Sequence, residues 1–404
     1  MSQVIPSRHP AGPKPVPGMV RAFALALGIR KPTAAEFRRM GECLTVGDEP
    51  MDRLVEWMYS AGMKNARPLF EQALAGGIES LMSPPEPLRE FFAHAEATPD
   101  WVDPDTLIRG AQVLRLGGSD GMSLGRDISL LGGYQFAGFN QTLLRTGALE
   151  KGSNTRFAET MRWAMDIVTD GGLGPFGVGY RSTLRVRMIH AMVRRHVAAL
   201  PDWRADAWGL PINQTDMAAT MVGSLIAPAA GGFGIGLLVT KSDLEAVAHV
   251  ARYTGWLMGV RDEFLPKSFR DGVRILYHTL TALATPDETT RQLAAPMVDD
   301  PLGWNYDRLP RLRRRVARSA HLSITGAFLG PRTLRTLGVP YVLPWYPALR
   351  FPVNLARSIA AHTGPEAMAR AAARGERENE AFLRVMTSGP ATIGGAAEHL
   401  ARTA

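Results

Sequence analysis

The chain has one cysteine, Cys43, in 404 residues. That excludes an internal disulfide framework and any cluster of thiolate metal ligands, and it permits a reducing compartment. Strand signals are also scarce. Runs of alternating β-branched and polar residues are hard to find, whereas stretches with a 3.6-residue apolar period recur throughout, so the sequence predicts an all-α fold. No HExxH, paired CxxC or Gly-x-Ser-x-Gly signature occurs, which removes the commonest zinc-hydrolase, redox-dithiol and serine-hydrolase readings. No Pro/Gly/Ser linker divides the middle of the chain and no repeat is visible. Residues 19–404 are therefore read as a single domain, large enough to bury its own core. The proline-rich first eighteen residues, MSQVIPSRHPAGPKPVPG, contain no apolar core region. They are expected to form a disordered arm rather than a secretory or twin-arginine signal, with the protein in the cytoplasm.

Acidic residues are the minority, 38 against 46 basic, for a net charge of +8. The densest basic run, Arg308 to Arg318, lacks interleaved aromatics and any nucleic-acid motif, so it is read as a solvated helix face and no nucleic-acid partner is expected. The longest uncharged run, Met217 to Thr240, could span a bilayer by length alone. Pro228 and the glycines from Gly231 to Gly236 interrupt it, so it is read as a buried helix, a break and a second buried segment. Membrane association is left open and not predicted. Ile128 to Leu144, also uncharged, is read as one dry helix whose Tyr134, Phe136 and Phe139 wall a pocket. Asp103 is expected to cap a helix at Pro104, Asp216 to cap the helix after the Pro-Ile-Asn-Gln turn, and Pro68 to open a short helix over Arg67 to Ala75.

The most informative stretch is RSTLRVRMIHAMVRRHVAAL, Arg181 to Leu200, closed by Pro201. On a helix, Thr183, Arg187, Arg194 and Val197 share the face of His190. Flanking guanidinium groups disfavour a protonated imidazole and keep its lone pair available to a metal. Arginines so placed also suit the carboxylates of a haem. A histidine on a helix is more often a satisfied core group, so this pattern alone leaves both readings open.

A second helix, with Arg156, Thr160, Trp163 and Ile167 on one face, precedes it. Taken together, Arg156-x3-Thr160, Val186-Arg187-x2-His190-Ala191-x2-Arg194, TGAL (Thr146 to Leu149), ETMRW (Glu159 to Trp163), WGLPINQ (Trp208 to Gln214), GDEPMDRLVEWM (Gly47 to Met58) and PDWVDPDTLIRGAQVL (Pro99 to Leu114) resemble the oxygenase family of the latex-clearing proteins and the MpaB-type enzymes. The resemblance implies a globin-like helical core around a haem b pocket with flanking helices. It implies His190 as the iron ligand and Arg187, Arg194 and Thr220 as cofactor-binding residues. Arg156 and Thr160 would shape the pocket and orient dioxygen, and the reaction implied is oxidation or cleavage of an alkene in an isoprenoid-like or other hydrophobic substrate.

Two positions depart from the rubber-cleaving members. Glu159 stands where they have a lysine beside the threonine, and Asn140, which cannot abstract a proton, falls where they have a glutamate. Glu159 lies about 100° around the helix from Thr160, so it is expected at the pocket edge or in an ion pair elsewhere. A general MpaB-like oxygenase is the closer match. A haem-binding sensor or carrier without turnover, and a haem-free helical interaction protein, are the alternatives.

The remaining candidates are weaker. Gly172-Leu-Gly-Pro-Phe-Gly177 fits a dinucleotide fingerprint in letters only, because it follows a helix and contains proline. Tyr180 and Arg181 open the His190 helix and are read either as cofactor contacts or as packing residues. His249 and His278 are the other histidines considered for the far side of a pocket.

Overall fold

The computed structural model describes residues 4–147 and 152–387, together with 389 and 393. Among these residues the fold is all-α, as the apolar periodicity predicts, and the nearest thing to a sheet is an isolated bridge between Phe136 and Thr285. Several helices begin where the sequence supplies a side-chain acceptor for their first free N–H groups. Thr33 and Glu36 form a reciprocal capping box ahead of Ala34–Glu42, and Thr240 and Asp243 do the same for Lys241–Leu257. Asp103 caps Pro104–Arg115 as expected, and Ser268 caps Phe269–Leu283.

The Gln214–Gly232 helix, uncharged after Asp216, runs through the main core. It is long and apolar enough to cross a membrane, but Met217, Ala218, Val222, Leu225 and Ile226 are buried in the main core. Its neighbours are Lys241–Leu257 and Phe269–Leu283. The helix continues through Pro228 and then tightens into the turn Phe233–Ile235 at the glycine-rich stretch, the break that the sequence led us to expect.

Four local expectations are corrected. Asp216 does not cap this helix; Asn213 does, its side chain accepting from the Asp216 N–H at 3.0 Å. Ile128 to Leu144 is not one helix. A π-helical turn, Gly125–Leu130, and the short Leu131–Gly133 segment give way at Phe136 to a separate helix, Ala137–Arg145. The helix around Pro68 begins a turn earlier and runs Met63–Gly76.

The arm is the fourth case. From residue 4 onward it is irregular but tied down: Ser7 and Arg8 N–H groups donate to Asp206 and Ala207 carbonyls at 2.9 and 3.0 Å, and Lys14 N–H donates to Thr281. The Arg8 guanidinium forms a two-bonded pair with Asp216, at 3.1 and 2.7 Å, with both side chains only 7% exposed. Gly138 makes this passage possible, because a Cβ there would stand 2.1 Å from Arg8 Nη1. Arg8 thus has a buried partner that a composition-based reading of the arm could not supply.

Candidate functional site

Two helices face each other across the site: Ser153–Val168, carrying Arg156 and Thr160, and Val178–Ala198, carrying His190. Gly179 lets them approach closely, since a Cβ there would meet the Ile167 Cα at 2.6 Å. Trp163 Nε1 bridges them by donating to Thr183 Oγ1 at 3.1 Å. Together with Ala137–Arg145 and the first half of Gln214–Gly232 they enclose a cavity of about 340 Å³, within the range of small-molecule pockets. Its wall is mostly apolar, with Leu143, Val186, Ile189, Val193, Met217 and Met258 among its residues.

His190, Arg156, Thr160 and Thr220 all line this cavity, so the structure brings four of the six expected site residues together. Burial, reinforced by the Arg194 charge and partly opposed by Asp48, lowers the His190 pKa to about 4. The imidazole is therefore neutral near pH 7, as the flanking arginines led us to expect. Its Nδ1 is buried and has no hydrogen-bond partner. Arg156 donates through Nη2 to the Tyr134 hydroxyl at 2.5 Å, while its Nε is buried and unpartnered. The Thr160 hydroxyl donates to the Arg156 carbonyl at 3.0 Å and the Thr220 hydroxyl to the Asp216 carbonyl at 2.8 Å. Each threonine therefore spends its proton on its own helix, and what it can offer the cavity is an acceptor lone pair.

Arg187 and Arg194 do not reach the cavity. Arg187 is 3% exposed and locked to Asp48 by Nε and Nη2 at 2.6 and 2.7 Å, with Nη1 donating to the Leu257 carbonyl at 3.1 Å. Arg194 pairs with Asp52 and donates to the Ile212 carbonyl at 2.9 Å. Gln214 closes the same knot, donating to the Gly47 and Gly259 carbonyls at 2.9 Å and accepting from the Arg261 N–H. Gly259 is required there: its φ is +80°, and a Cβ would stand 2.5 Å from Asp48 Oδ2. The GDEPMD, WGLPINQ and arginine motifs are thus one interlock behind His190. The arginines act on the imidazole by fixing its helix, and the Arg194 charge helps to keep it neutral.

Other expectations resolve differently. Glu159 lines the cavity, which is the pocket-edge alternative of the two expected for it. Asn140 is fully buried outside it, donating to the Tyr134 carbonyl and Thr289 Oγ1 at 2.7 and 3.1 Å. Trp163 and Phe139 line it. Tyr134 does not, but it holds Arg156. Tyr180 is buried against Phe176 and Arg181 is not in the wall, so the packing reading holds for that pair. His249 accepts from the Asp103 N–H at 3.0 Å and His278 bonds the Arg30 carbonyl at 3.1 Å, so neither reaches the cavity. Ala148 and Leu149 of the TGAL stretch lie outside the described residues. Sequence reasoning missed Asp216 as a wall residue and Arg8 as its partner, because no local pattern joins positions so far apart in the chain.

Comparison with known proteins places this geometry. Residues 123–362 match the family described as ER-bound oxygenase mpaB/B'/Rubber oxygenase, catalytic domain. The rubber oxygenase of Streptomyces sp. (strain K30) is 29% identical over 205 residues, covering 49% of this chain; the chain spans about half (48%) of that relative's length. A solved structure of latex clearing protein LCP in the closed state superposes with a TM-score of 0.64 at 21% identity, covering 86% of this chain and 92% of that one, which establishes a shared fold. The family match extends over more than half of the chain and contains Arg156, Thr160, His190 and Thr220, and the protein therefore belongs to the MpaB/rubber oxygenase catalytic-domain family.

Proposed function

We propose that the protein is a haem b-dependent oxygenase that uses dioxygen to oxidise or cleave an alkene in an isoprenoid-like or other hydrophobic substrate. The observation that carries this reading is His190: a neutral imidazole in the wall of a 340 Å³ cavity, its buried Nδ1 without a protein partner. Buried polar atoms without partners are few in native proteins, and each needs an explanation, a bound group being one. Arg156 Nε presents a second such atom in the same wall. Among the described residues no three His, Cys, Asp or Glu side chains gather as a metal site. A metal bound at His190 must therefore bring most of its own coordination, as haem iron does.

The residues present fit that group. His190 would ligate the iron, and Arg156 would hold negative charge at the cavity edge through the donors that Tyr134 leaves over. Thr220 and Thr160 would accept hydrogen bonds from groups in the cavity. Haem, when bound, supplies the oxygen chemistry; the chain supplies the apolar wall that selects a hydrophobic substrate and excludes water. Two carboxylates stand in that wall. Glu159, which stands in the wall beside Arg156 and Thr160 on the same helix, is the one assigned to hold a proton during turnover.

The test is an absorption spectrum with pyridine haemochrome on the wild type and His190→Ala, followed by isoprenoid alkenes under oxygen. A b-type signal that the substitution abolishes, together with oxygen-dependent carbonyl products, is the expected result. A colourless protein after haem reconstitution refutes the reading.

A further inference from the structure

The basic run at Arg308 belongs to a larger feature that the cavity does not use. Between Asp307 and Glu366 lie 58 residues with ten arginines and no aspartate or glutamate. This segment alone carries +10, more than the +8 of the whole chain. It is also where the apolar surface concentrates. Of the sixteen large apolar side chains exposed among the described residues, nine lie within it.

The first and third helices of the segment show why. Helix Pro310–Phe328 buries Ala320, Leu322 and Ile324 near its C-terminal end, whereas Leu309, Leu312 and Val316 stand 69%, 58% and 48% exposed. Arg308, Arg311 and Arg315, interleaved with them, are exposed and have no partner among the described residues. Leu312, Val316, Ser319 and Ser323 share one helix face. Ser319 Oγ accepts from Trp345 Nε1 and Ser323 Oγ from the Tyr346 N–H, each at 3.0 Å. These two bonds tie the first helix to the start of the third, Trp345–Ala361. That helix is anchored from one side by Asn354 and Ser358, which bond Asp120, the Ile235 carbonyl and the Leu238 N–H. Its opposite, exposed face consists of Leu349, Pro352, Val353, Ala356, Ile359 and Ala360.

We propose that this face docks the protein on the surface of an anionic lipid bilayer, with the aliphatic side chains in the interface and Arg308, Arg311 and Arg315 on the phosphate headgroups. Exposed contiguous apolar surface marks an interaction site, and an apolar face flanked by arginines is the pattern of interfacial helices. A second copy of this chain is a poorer occupant, because a two-fold interface would bring the exposed Arg308, Arg311 and Arg315 of one copy toward those of the other. A nucleic acid would use the arginines and leave the aliphatic face exposed. The inference is independent of the oxygenase reading, since none of these residues lines the cavity.

The experiment is co-sedimentation of the full chain with phosphatidylcholine vesicles, with and without phosphatidylserine, beside analytical ultracentrifugation of the protein alone. Two variants are compared, R308Q/R311Q/R315Q and L349E/V353E, each checked by thermal melt for an unchanged fold. The expected result is binding that requires phosphatidylserine, weakens with salt, and falls on the order of a hundredfold in the arginine variant. It should be lost in the Leu349/Val353 variant. Wild-type protein that stays in solution with phosphatidylserine vesicles overturns the proposal. So does self-association that L349E/V353E abolishes, which would assign the face to a second copy.

Discussion

The interlock behind His190 makes a demand that separates scaffold from cofactor anchor. In Arg187→Met the Asp48 carboxylate, with its side chain 2% exposed, loses both guanidinium bonds and keeps no other salt-bridge partner among the described residues. Removing one partner of a buried ion pair destabilises by about 3–5 kcal/mol, because the remaining charge stays desolvated. Arg187 also satisfies the Leu257 carbonyl and lies 5.1 Å over the Phe91 ring, which places the expected loss at the upper end, about 4 kcal/mol. Replacing both partners with apolar residues of similar size removes the stranded charge, so Arg187→Met/Asp48→Leu should recover most of that loss.

The assay is urea denaturation of the cofactor-free protein, followed by circular dichroism, across the wild type, the two single variants and the double variant. A double-mutant coupling of about 2 kcal/mol or more is expected, as for residues joined in one network. If Arg187→Met instead leaves the cofactor-free protein as stable as wild type and weakens only haem retention, then Arg187 is a propionate anchor and the interlock argument fails.

Three further outcomes follow from the same geometry. The His190 pKa of about 4 in the folded chain lies below the ordinary value of 6.5, so the native state binds fewer protons. Stability of the cofactor-free protein should hold above about pH 6.5 and fall by roughly 3 kcal/mol as pH drops toward 4. His190→Gln should remove that increment, and parallel pH profiles for the two proteins would contradict it. Glu159→Gln should keep the haem spectrum and lower kcat by about a hundredfold or more, the usual loss of a positioned acid–base group; an unchanged kcat removes Glu159 from proton handling. Gly138→Ala should drive the Arg8 guanidinium off Asp216 and destabilise by about 3 kcal/mol. Adding Arg8→Met to it should change little further, whereas additive losses in urea melts would show that Gly138 acts elsewhere.

The helices were legible because their signals are local. A cap and an apolar stripe lie within a few residues of one another, and Thr240 with Asp243 or Asp103 with Pro104 announce their helices without reference to the rest of the chain. The failures share a different cause. Ile128 to Leu144 reads as one dry helix, yet its polarity pattern says nothing of the bridge that Phe136 makes to Thr285, which lies on a distant part of the chain. Asp216 has the right chemistry for a cap, but Asn213 sits at the correct offset, and Arg8 from the arm takes the carboxylate. Propensity proposes a partner within a turn; tertiary contact can supply a better one.

The site divides in the same way, and the division bears on how such motifs are read. One face of the Val178–Ala198 helix carries His190, Arg187 and Arg194 at one-turn spacing, and periodicity alone cannot say that a single face serves two ends. The acids decide it. Asp48 and Asp52 come from GDEPMD, four residues apart at the start of Glu49–Ser60, and so meet arginines seven residues apart on the facing helix. With both guanidinium groups neutralised there, the cavity keeps Arg156 as its cation and His190 as its unclaimed base. An arginine beside a histidine is thus evidence for a ligand site only after its carboxylate has been looked for elsewhere in the chain. Here the carboxylates were present in the sequence within the same set of motifs, and their spacing, one helical turn, was the signal that could have assigned them.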